Sequence, residues 1–153
     1  MEGKRILILC IWGAVIVIVL FSLEGNLFPK FSKYSEDVRT IQLVGENIRV
    51  SVAHTPEARE QGLGGRNKLN PHEGMLFVFD TTAKHQFWMK DMLFPIDILW
   101  LSDTGKVVDI REIVSPNTYP AIFSPRQPAR YTLELPAGFV GDNNVTIGDV
   151  VRL

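Results

Sequence analysis

The stretch Ile96-Asp97-Ile98-Leu99-Trp100-Leu101 decides the fold of this chain. Apart from Asp97, both of its alternating faces are apolar, which is typical of a strand that is buried on both sides. Asp97 shares its face with Leu99 and Leu101. A buried carboxylate must be hydrogen-bonded, paired or protonated, because leaving it unpaired is energetically costly. The stretch therefore predicts a central strand that carries a carboxylate into the core.

Short runs of similar composition lie on both sides of this stretch. Turn-forming residues bound most of them, so each run is a predicted strand. The predicted strands cover residues 40–44, 48–53, 74–79, 86–89, 106–113, 131–135 and 150–153. Gly45-Glu46-Asn47 predicts a hairpin turn between the first two, and prolines spread through residues 115–128 predict a long loop.

One short helix is predicted, over about residues 56–62. Thr55 is a favourable N-cap, Pro56 suits the first helical position, and Glu57 favours the first turn. Many short strands with a single helix indicate a β-rich (α+β) fold. We therefore predict one compact, antiparallel-rich barrel or sandwich.

The N-terminal part of the chain has a different composition. Residues 6–23 contain no charged side chain. At about 1.5 Å per residue, a helix of this length comes close to spanning the bilayer's hydrocarbon core of about 30 Å. We predict a transmembrane helix at residues 6–23 with the lipid bilayer as its partner, after a basic flank (1–5) and before a linker (24–39) and a soluble domain (40–153).

Lys4 and Arg5 precede the apolar run and Glu24 follows it, which by the positive-inside rule places the N-terminus in the cytoplasm. The expected protein is thus a single-pass cell-membrane protein whose C-terminal domain is extracytoplasmic. A cleaved signal peptide is the alternative; the run is longer than a usual signal-peptide core, and residues 21–24 make a poor cleavage site.

Composition excludes several classes of function. A chain of 153 residues supports one ordinary domain, and a net charge of -1 lacks the basic field of a nucleic-acid binder. The single Cys10 excludes a disulfide framework or a multi-cysteine metal site. His54, His72 and His85 share no metal-ligand spacing, so we expect neither a metal nor another cofactor.

Three consecutive motifs carry a family resemblance. Gly74-Met75-Leu76-Phe77-Val78-Phe79 is followed by Phe87-Trp88-Met89-Lys90-Asp91 and then by Pro95-Ile96-Asp97-Ile98. Together they closely resemble the prokaryotic family known as domain of unknown function 192, and the resemblance covers roughly residues 48–153. It implies a compact β-rich domain, often exported behind an N-terminal signal or anchor, with no established activity.

Two positions depart from the pattern of that family. Gly64 stands where its members usually have a methionine, which implies a looser turn after the helix. Asp91 stands where they usually have an asparagine, so the resemblance gives no shared role to that carboxylate.

Asp97 has two possible roles. It can be a structural carboxylate that ties down the connection over residues 90–95 through backbone amides or a cation, or it can bind a ligand or act in catalysis. With Asp91 it would form a carboxylate pair across the turn at Pro95, an arrangement that glycoside hydrolysis uses.

Trp88 and Lys90 form a second candidate site. Strand alternation directs Phe87 and Met89 to one side of the chain and Trp88 and Lys90 to the other. An indole beside an ammonium group could stack on a saccharide or bind an anionic small molecule. Alternatively, Trp88 fills a secondary core and Lys90 pairs with a nearby aspartate.

Arg66 is a further candidate ligand-binding residue. It could gather with Arg111, Arg126 and Arg130 at one mouth and bind a carboxylate through paired hydrogen bonds, although arginines at a surface are usually only solvated. Glu134 alternates with the leucines that flank it and is expected to point to solvent or to pair with an arginine.

Three functional hypotheses follow. The first is a non-catalytic binding or accessory module of the cell envelope, tethered to the membrane. The second is a small envelope hydrolase, directed at carbohydrate, that uses Asp91 and Asp97. The third is a structural or protein-interaction module. A concave pocket containing Asp97 would favour the first two hypotheses, and a filled barrel with a flat apolar surface patch would favour the third.

Overall fold

The computed structural model describes residues 37–153, which form a β-rich domain around one sheet. The sheet has six strands. They are β1 (Asp37–Leu43), β2 (Glu46–Ala53), β3 (Glu73–Ala83), β4 (Ile96–Leu101), β5 (Val107–Val114) and β6 (Ala129–Pro136). The β-rich class predicted from the sequence is confirmed, and the first strand begins at Asp37, slightly before the predicted start of the domain.

The strands are ordered β1-β2-β3-β6-β4-β5, with β1 and β5 at the two edges. All neighbouring pairs are antiparallel except β2 and β3, which are parallel. The prediction of a barrel or a sandwich is therefore corrected to a single open sheet, because no strand ladder joins the two edges within the described residues and no second sheet faces the first.

The C-terminal segment accounts for part of that difference. Residues 150–153 were predicted as a strand but make only isolated bridges, one from Arg152 to Gln42 of β1 and one from Val150 to Lys106 before β5. The predicted strand at 86–89 is likewise reduced to a bridge between Phe87 and Phe123. These segments are extended and apolar enough to resemble strands. Each of them pairs with the rest of the domain only through isolated bridges.

Two short α-helices and a 3-10 helix (Pro116–Thr118) complete the described fold. Helix α1 (Pro56–Gln61) supplies the crossover between the parallel strands, and the Thr55 hydroxyl accepts the Ala58 N–H at 3.1 Å as its cap. This confirms the helix predicted at about 56–62. Helix α2 (Phe139–Asp142) follows β6 and was not predicted, because four residues are too few to show a helical period.

Both faces of the sheet are covered. All six residues of β4 are buried, as predicted for a central strand. We name the two faces after the buried carboxylates they carry. The Asp97 face includes Leu99 and Leu133 and is covered by α2 and the C-terminal segment. The Glu134 face includes Met75 and is covered by α1 and the segment of residues 87–92.

The predicted basic flank (1–5), transmembrane helix (6–23) and most of the linker (24–39) lie outside the described residues. Within residues 37–153, no helix has the length and apolar character needed to cross a membrane.

Candidate ligand-binding site

Asp97 is a structural brace on the Asp97 face. Its side chain is fully buried, at 0% exposure. Oδ1 accepts the Ile113 N–H at 2.7 Å, and Oδ2 accepts the Val140 N–H at 2.9 Å. The carboxylate therefore ties β4 to β5 and α2 through backbone amides. The amides differ from those expected, because neither belongs to the connection over residues 90–95.

One of these two amides belongs to a strained residue. Ile113 has a φ of +50°, a left-handed conformation that is costly for a β-branched side chain. Its N–H is held by the buried Asp97 carboxylate while its side chain is exposed. Asp97 thus stabilises an unfavourable turn of the backbone at the end of β5.

Glu134 is the second buried carboxylate, and its position corrects the expectation that it points to solvent. The side chain is only 5% exposed and lies on the Glu134 face between Met75 of β3 and Ile98 of β4. Its Oε2 has no hydrogen-bond partner among the described residues. Burial raises the pKa of Glu134 to about 8. A carboxyl group in this setting is neutral over most of the physiological range.

A second buried polar atom on the same face also lacks a hydrogen-bond partner among the described residues. Thr132 precedes Glu134 by two residues on β6, is fully buried, and its hydroxyl also has no partner among the described residues. Alternation along the strand puts both side chains on the Glu134 face. Two neighbouring buried polar groups without partners are unusual, because such groups are paired in most proteins.

Glu134 lines a cavity of about 320 Å³ beneath α1. Phe77, Phe79 and Phe87 form its aromatic wall. The rings of Phe77 and Phe87 meet edge to face with centroids 4.9 Å apart, and those of Phe79 and Phe87 meet the same way at 6.3 Å. Edge-to-face packing fixes the relative orientation of rings, so the wall is preorganised around the Glu134 carboxyl.

Helix α1 contributes a fixed cation to the rim. Arg59 lies in the last turn of the helix, where its Nη1 donates to the carbonyls of His54 at 2.8 Å and Val78 at 2.9 Å. Its Cζ lies 5.4 Å from the centre of the Phe79 ring. These contacts hold Arg59 in place through carbonyl and aromatic partners.

Trp88 and Lys90 lie at the same rim. As the alternation predicted, Phe87 and Met89 are buried, whereas Trp88 is 51% exposed and Lys90 is exposed. The alternative in which Trp88 fills a secondary core does not fit this exposure. None of the ion pairs formed among residues 37–153 includes Lys90. Both side chains line the cavity that contains Glu134.

Asp91 lies in an adjoining cavity of about 450 Å³, together with Glu57, Glu60 and Lys90. It is exposed and has a φ of +58°, a conformation that aspartate and asparagine tolerate better than most residues. Asp97, in contrast, is enclosed in the core of the opposite face. The structure therefore does not bring Asp91 and Asp97 together around one pocket.

Gly64 lies where the two cavities meet and lines both of them. A Cβ atom added here would lie 3.0 Å from the Gln61 carbonyl oxygen and 3.5 Å from the Asp91 Cβ. A side chain at this position would thus require a small displacement and would narrow the junction.

The candidate arginines do not share one mouth. Arg66 reaches β2, where its Nη2 donates to the Ser51 hydroxyl at 3.4 Å. Arg126 binds the buried Asp109 carboxylate, and Arg130 donates to the Asp80 carbonyl. Three of the four therefore have different partners.

Glu134 is the residue that sequence reasoning missed. The alternation Thr132-Leu133-Glu134-Leu135 is that of a half-exposed strand, so its polar side was assigned to solvent. The strand order reverses this assignment, because β6 lies between β3 and β4 and both of its faces are covered. The only available clue was that β4, apolar on both faces, needs neighbours that are also covered on both faces.

Comparison with known proteins identifies the family. The model of DUF192, described as "Uncharacterized ACR", matches residues 39–153. The chain belongs to the DUF192 family. The resemblance drawn from the three motifs is thereby confirmed.

A related sequence and two solved structures agree with this assignment. The UPF0127 protein TK1120 of Thermococcus kodakarensis is 30% identical over 105 residues, which is 67% of this chain and 63% of that protein. A Sinorhizobium meliloti crystal structure, described as a candidate transcription regulator, has a TM-score of 0.75 and 34% identity, and the match covers 79% of this chain and 97% of that one.

The second structure is a protein of unknown function from Novosphingobium aromaticivorans. It has a TM-score of 0.74 and 22% identity, and the match covers 84% of this chain and 94% of that one. At this identity the similarity shows the fold alone. The domain of this chain thus has a fold that is shared with other solved proteins.

Proposed function

We propose that this DUF192 protein is a membrane-tethered, extracytoplasmic module of the cell envelope that binds a small molecule without transforming it. The cavity on the Glu134 face carries the proposal. It combines a buried acid, an aromatic wall and a rim formed by Trp88 and Lys90. Ligand sites are typically apolar concavities in which a few polar groups orient the ligand.

Binding is favoured over hydrolysis because the two candidate catalytic aspartates lie apart. Asp97 is enclosed on one face with both oxygens bonded to backbone amides, whereas Asp91 lies in a surface cavity on the other side. A hydrolase needs two carboxyl groups that flank one scissile bond. A purely structural module would need no concave site with a buried, unpartnered polar atom.

The rim and the wall indicate the class of ligand. An exposed indole can stack on a saccharide ring, and the nearby Lys90 can attract an anionic group. A cavity of about 320 Å³ has room for one ring with small substituents. We therefore propose a saccharide or a small organic anion whose ring enters the cavity. The net charge of -1 gives no support to nucleic acid as the ligand.

The tether is proposed from the sequence alone. The uncharged run at residues 6–23 follows Lys4 and Arg5, a pattern that places the domain outside the cytoplasm. A reporter that is active only in the cytoplasm, fused after Leu153, is expected to be inactive. Strong reporter activity would contradict the orientation, and a mature N-terminus near Ser22 would show cleavage instead of anchoring.

A thermal-shift screen tests the binding function. The full chain in lipid nanodiscs is unfolded by heat in the presence of neutral saccharides, uronates or small organic acids. A compound that binds the native state raises the midpoint temperature of unfolding. Trp88→Ala and Lys90→Ala are expected to reduce the shift, and Gly64→Met is expected to abolish it by filling the junction.

The matched controls are Ile147→Ala and Lys106→Ala, which remove an exposed apolar side chain and an exposed lysine that do not line the cavity. Both should keep the full ligand shift. A shift that survived Gly64→Met, Trp88→Ala and Lys90→Ala alike would place the ligand elsewhere and would contradict this site.

A further inference from the structure

Glu134 differs from the other groups of the cavity because it has no charged partner. Its cross-strand neighbours, Met75 and Ile98, are apolar, and the aromatic wall lies in the same cavity. Among residues 37–153, no basic side chain lies within salt-bridge distance of the Glu134 carboxyl group. A carboxyl group that is nine-tenths buried in such surroundings is stable only when it is protonated or hydrogen-bonded.

The charged groups that face the cavity do not change this conclusion. Helix α1 contributes Arg59 and Glu60, and the segment after β3 contributes Lys90. Arg59 is occupied by two backbone carbonyls, Glu60 carries the same sign as an ionised Glu134, and Lys90 is exposed to solvent. Burial raises the pKa of Glu134 to about 8, in agreement with this geometry.

We propose that Glu134 binds the ligand as a neutral carboxylic acid, donating its proton in a hydrogen bond to an uncharged oxygen atom of a ring-shaped ligand. The acceptor is a carbonyl, ether or hydroxyl oxygen. This inference deepens the proposed function and rests on it. No bond is formed or broken and no proton is transferred, since the acid keeps its proton in the complex.

This role sets the specificity of the deep end of the cavity. An uncharged acceptor oxygen can accept the hydrogen bond of protonated Glu134 without placing a charge in the buried cavity. An ammonium group would instead require Glu134 to ionise in an apolar environment. The two ligand types should therefore respond to pH in opposite directions, because raising the pH removes the proton that the first type needs and creates the carboxylate that the second type needs.

The experiment uses two probes of the same shape, acetophenone and 1-phenylethylamine, which differ in a carbonyl oxygen and an amino group. Dissociation constants are measured by ligand-observed NMR on the full chain in lipid nanodiscs, from pH 6 to 9. Acetophenone should bind about tenfold more weakly at pH 9 than at pH 7, because only about a tenth of Glu134 is then protonated.

Three variants isolate the acid. Glu134→Gln keeps a neutral hydrogen-bond donor, so acetophenone should bind it with an affinity that does not change with pH. Glu134→Leu removes the donor and should weaken acetophenone binding at pH 7. Glu112→Gln removes an exposed carboxylate of β5 and should leave the pH dependence as it is in the unaltered chain.

A readout without ligand accompanies these measurements. The infrared difference spectrum between the chain and Glu134→Gln should contain the carbonyl band of a protonated acid at pH 7, and the band should disappear as the pH rises past about 8. Its absence at pH 7 would overturn the inference whichever ligand is present.

The outcomes separate the two proposals. If neither probe binds at any pH and the thermal-shift screen also finds no ligand, the proposed function fails. If the screen finds a ligand but neither probe binds, the role given to Glu134 fails. If acetophenone binds equally at pH 7 and 9, and equally to Glu134→Gln and Glu134→Leu, the cavity binds ligands but the role given to Glu134 is wrong. Tighter binding of 1-phenylethylamine than of acetophenone at pH 7 would also overturn it, since the cavity would then hold a carboxylate.

Discussion

Asp97 and Glu134 are buried carboxyl groups on neighbouring strands, yet their surroundings differ. Asp97 of β4 has an amide donor for each oxygen, whereas the Oε2 atom of Glu134 on β6 has none among the described residues. Both residues are almost completely withdrawn from water. Burial alone therefore does not distinguish a structural acid from an acid at a binding site. The presence or absence of hydrogen-bond donors makes this distinction.

The difference arises from what covers each face of the sheet. On the Asp97 face, the backbone of β5 and α2 approaches the carboxylate closely enough to donate two hydrogen bonds. On the Glu134 face, none of the described residues donates a hydrogen bond to the Oε2 atom of Glu134. A cavity of about 320 Å³ lies on this face beside Glu134.

The largest expected effect comes from breaking the brace at Asp97. Asp97→Ala leaves the buried amides of Ile113 and Val140 without an acceptor, and should lower the free energy of unfolding by about 4 kcal/mol. Asp97→Asn keeps one acceptor oxygen and should cost about 2 kcal/mol. Urea unfolding of the fragment of residues 37–153, followed by the fluorescence of Trp88 and Trp100, measures both.

This measurement also tests the domain boundary. The described strands bury a continuous apolar core on each face, so the fragment should unfold in one cooperative transition without the N-terminal segment. If Asp97→Ala unfolded at the same urea concentration as the unaltered fragment, the brace would contribute nothing and the comparison with Glu134 would lose its basis.

The second effect has the opposite sign. The pKa of Glu134 is raised above its ordinary value of 4.5 to about 8, so the native state binds the proton more tightly than the unfolded state. Stability should therefore fall as the pH rises from about 4.5 to about 8, and then remain low. Glu134→Gln removes this titration and should stabilise the fragment by about 3 kcal/mol at pH 7.

Near pH 4.5 the same variant should change the free energy of unfolding by less than about 1 kcal/mol, because Glu134 is then neutral in the native state and only about half ionised in the unfolded state. Urea unfolding at both pH values gives the comparison, with Glu112→Gln as the exposed control. A pH-independent effect of Glu134→Gln would show that the acid is ionised in the native protein or already paired.

The sequence predicted the parts of the fold that depend on local pattern. The β-rich class, helix α1 and the fully buried strand β4 follow from strand alternation, a cap and an apolar run. Alternation predicted that Trp88 and Lys90 lie on the side opposite Phe87 and Met89, but it left open whether Trp88 is exposed. The open sheet could not be predicted, because a strand's neighbours are set by tertiary contacts and short apolar segments such as residues 150–153 look like strands.

The candidate site could be predicted only in part, because it also depends on which strands are neighbours. Trp88 and Lys90 are found at the rim, whereas Glu134 needed the strand order before it could be assigned to the interior. Asp91 illustrates a further limit of sequence patterns. The family pattern has asparagine at this position, and the φ of +58° explains the exchange, since both residues tolerate that backbone conformation. The backbone conformation accounts for the choice at this position without a role for the carboxylate.

Asp109 provides a third case, in which a buried carboxylate is satisfied by a surface cation. Burial alone would raise its pKa, but the Arg126 guanidinium and the backbone N–H groups of Arg126 and Ile110 outweigh burial and lower the pKa below its ordinary value of 3.8. Asp109→Asn should therefore destabilise the fragment by about 2 kcal/mol at pH 7.

The pH dependence of this effect is opposite to that of Glu134. A lowered pKa contributes stability above the ordinary value, and that stability is lost as the pH falls below about 4. Unfolding measured at pH 7 and at pH 2.5 should show a smaller effect of Asp109→Asn in acid. An equal effect at both values would mean that the Arg126 contact does not depend on the charge of Asp109.

The smallest expected effect concerns the rim of the cavity. Trp88 is half exposed and Lys90 forms none of the described ion pairs, so Trp88→Ala and Lys90→Ala should each change the free energy of unfolding by less than about 0.5 kcal/mol. Exposed side chains of this kind can be removed at little cost to the fold, in contrast to the brace at Asp97. If either substitution cost as much as Asp97→Asn, that side chain would belong to the packing of the Glu134 face, and its place at the rim would be structural. Urea unfolding of both variants beside Ile147→Ala and Lys106→Ala decides between these outcomes.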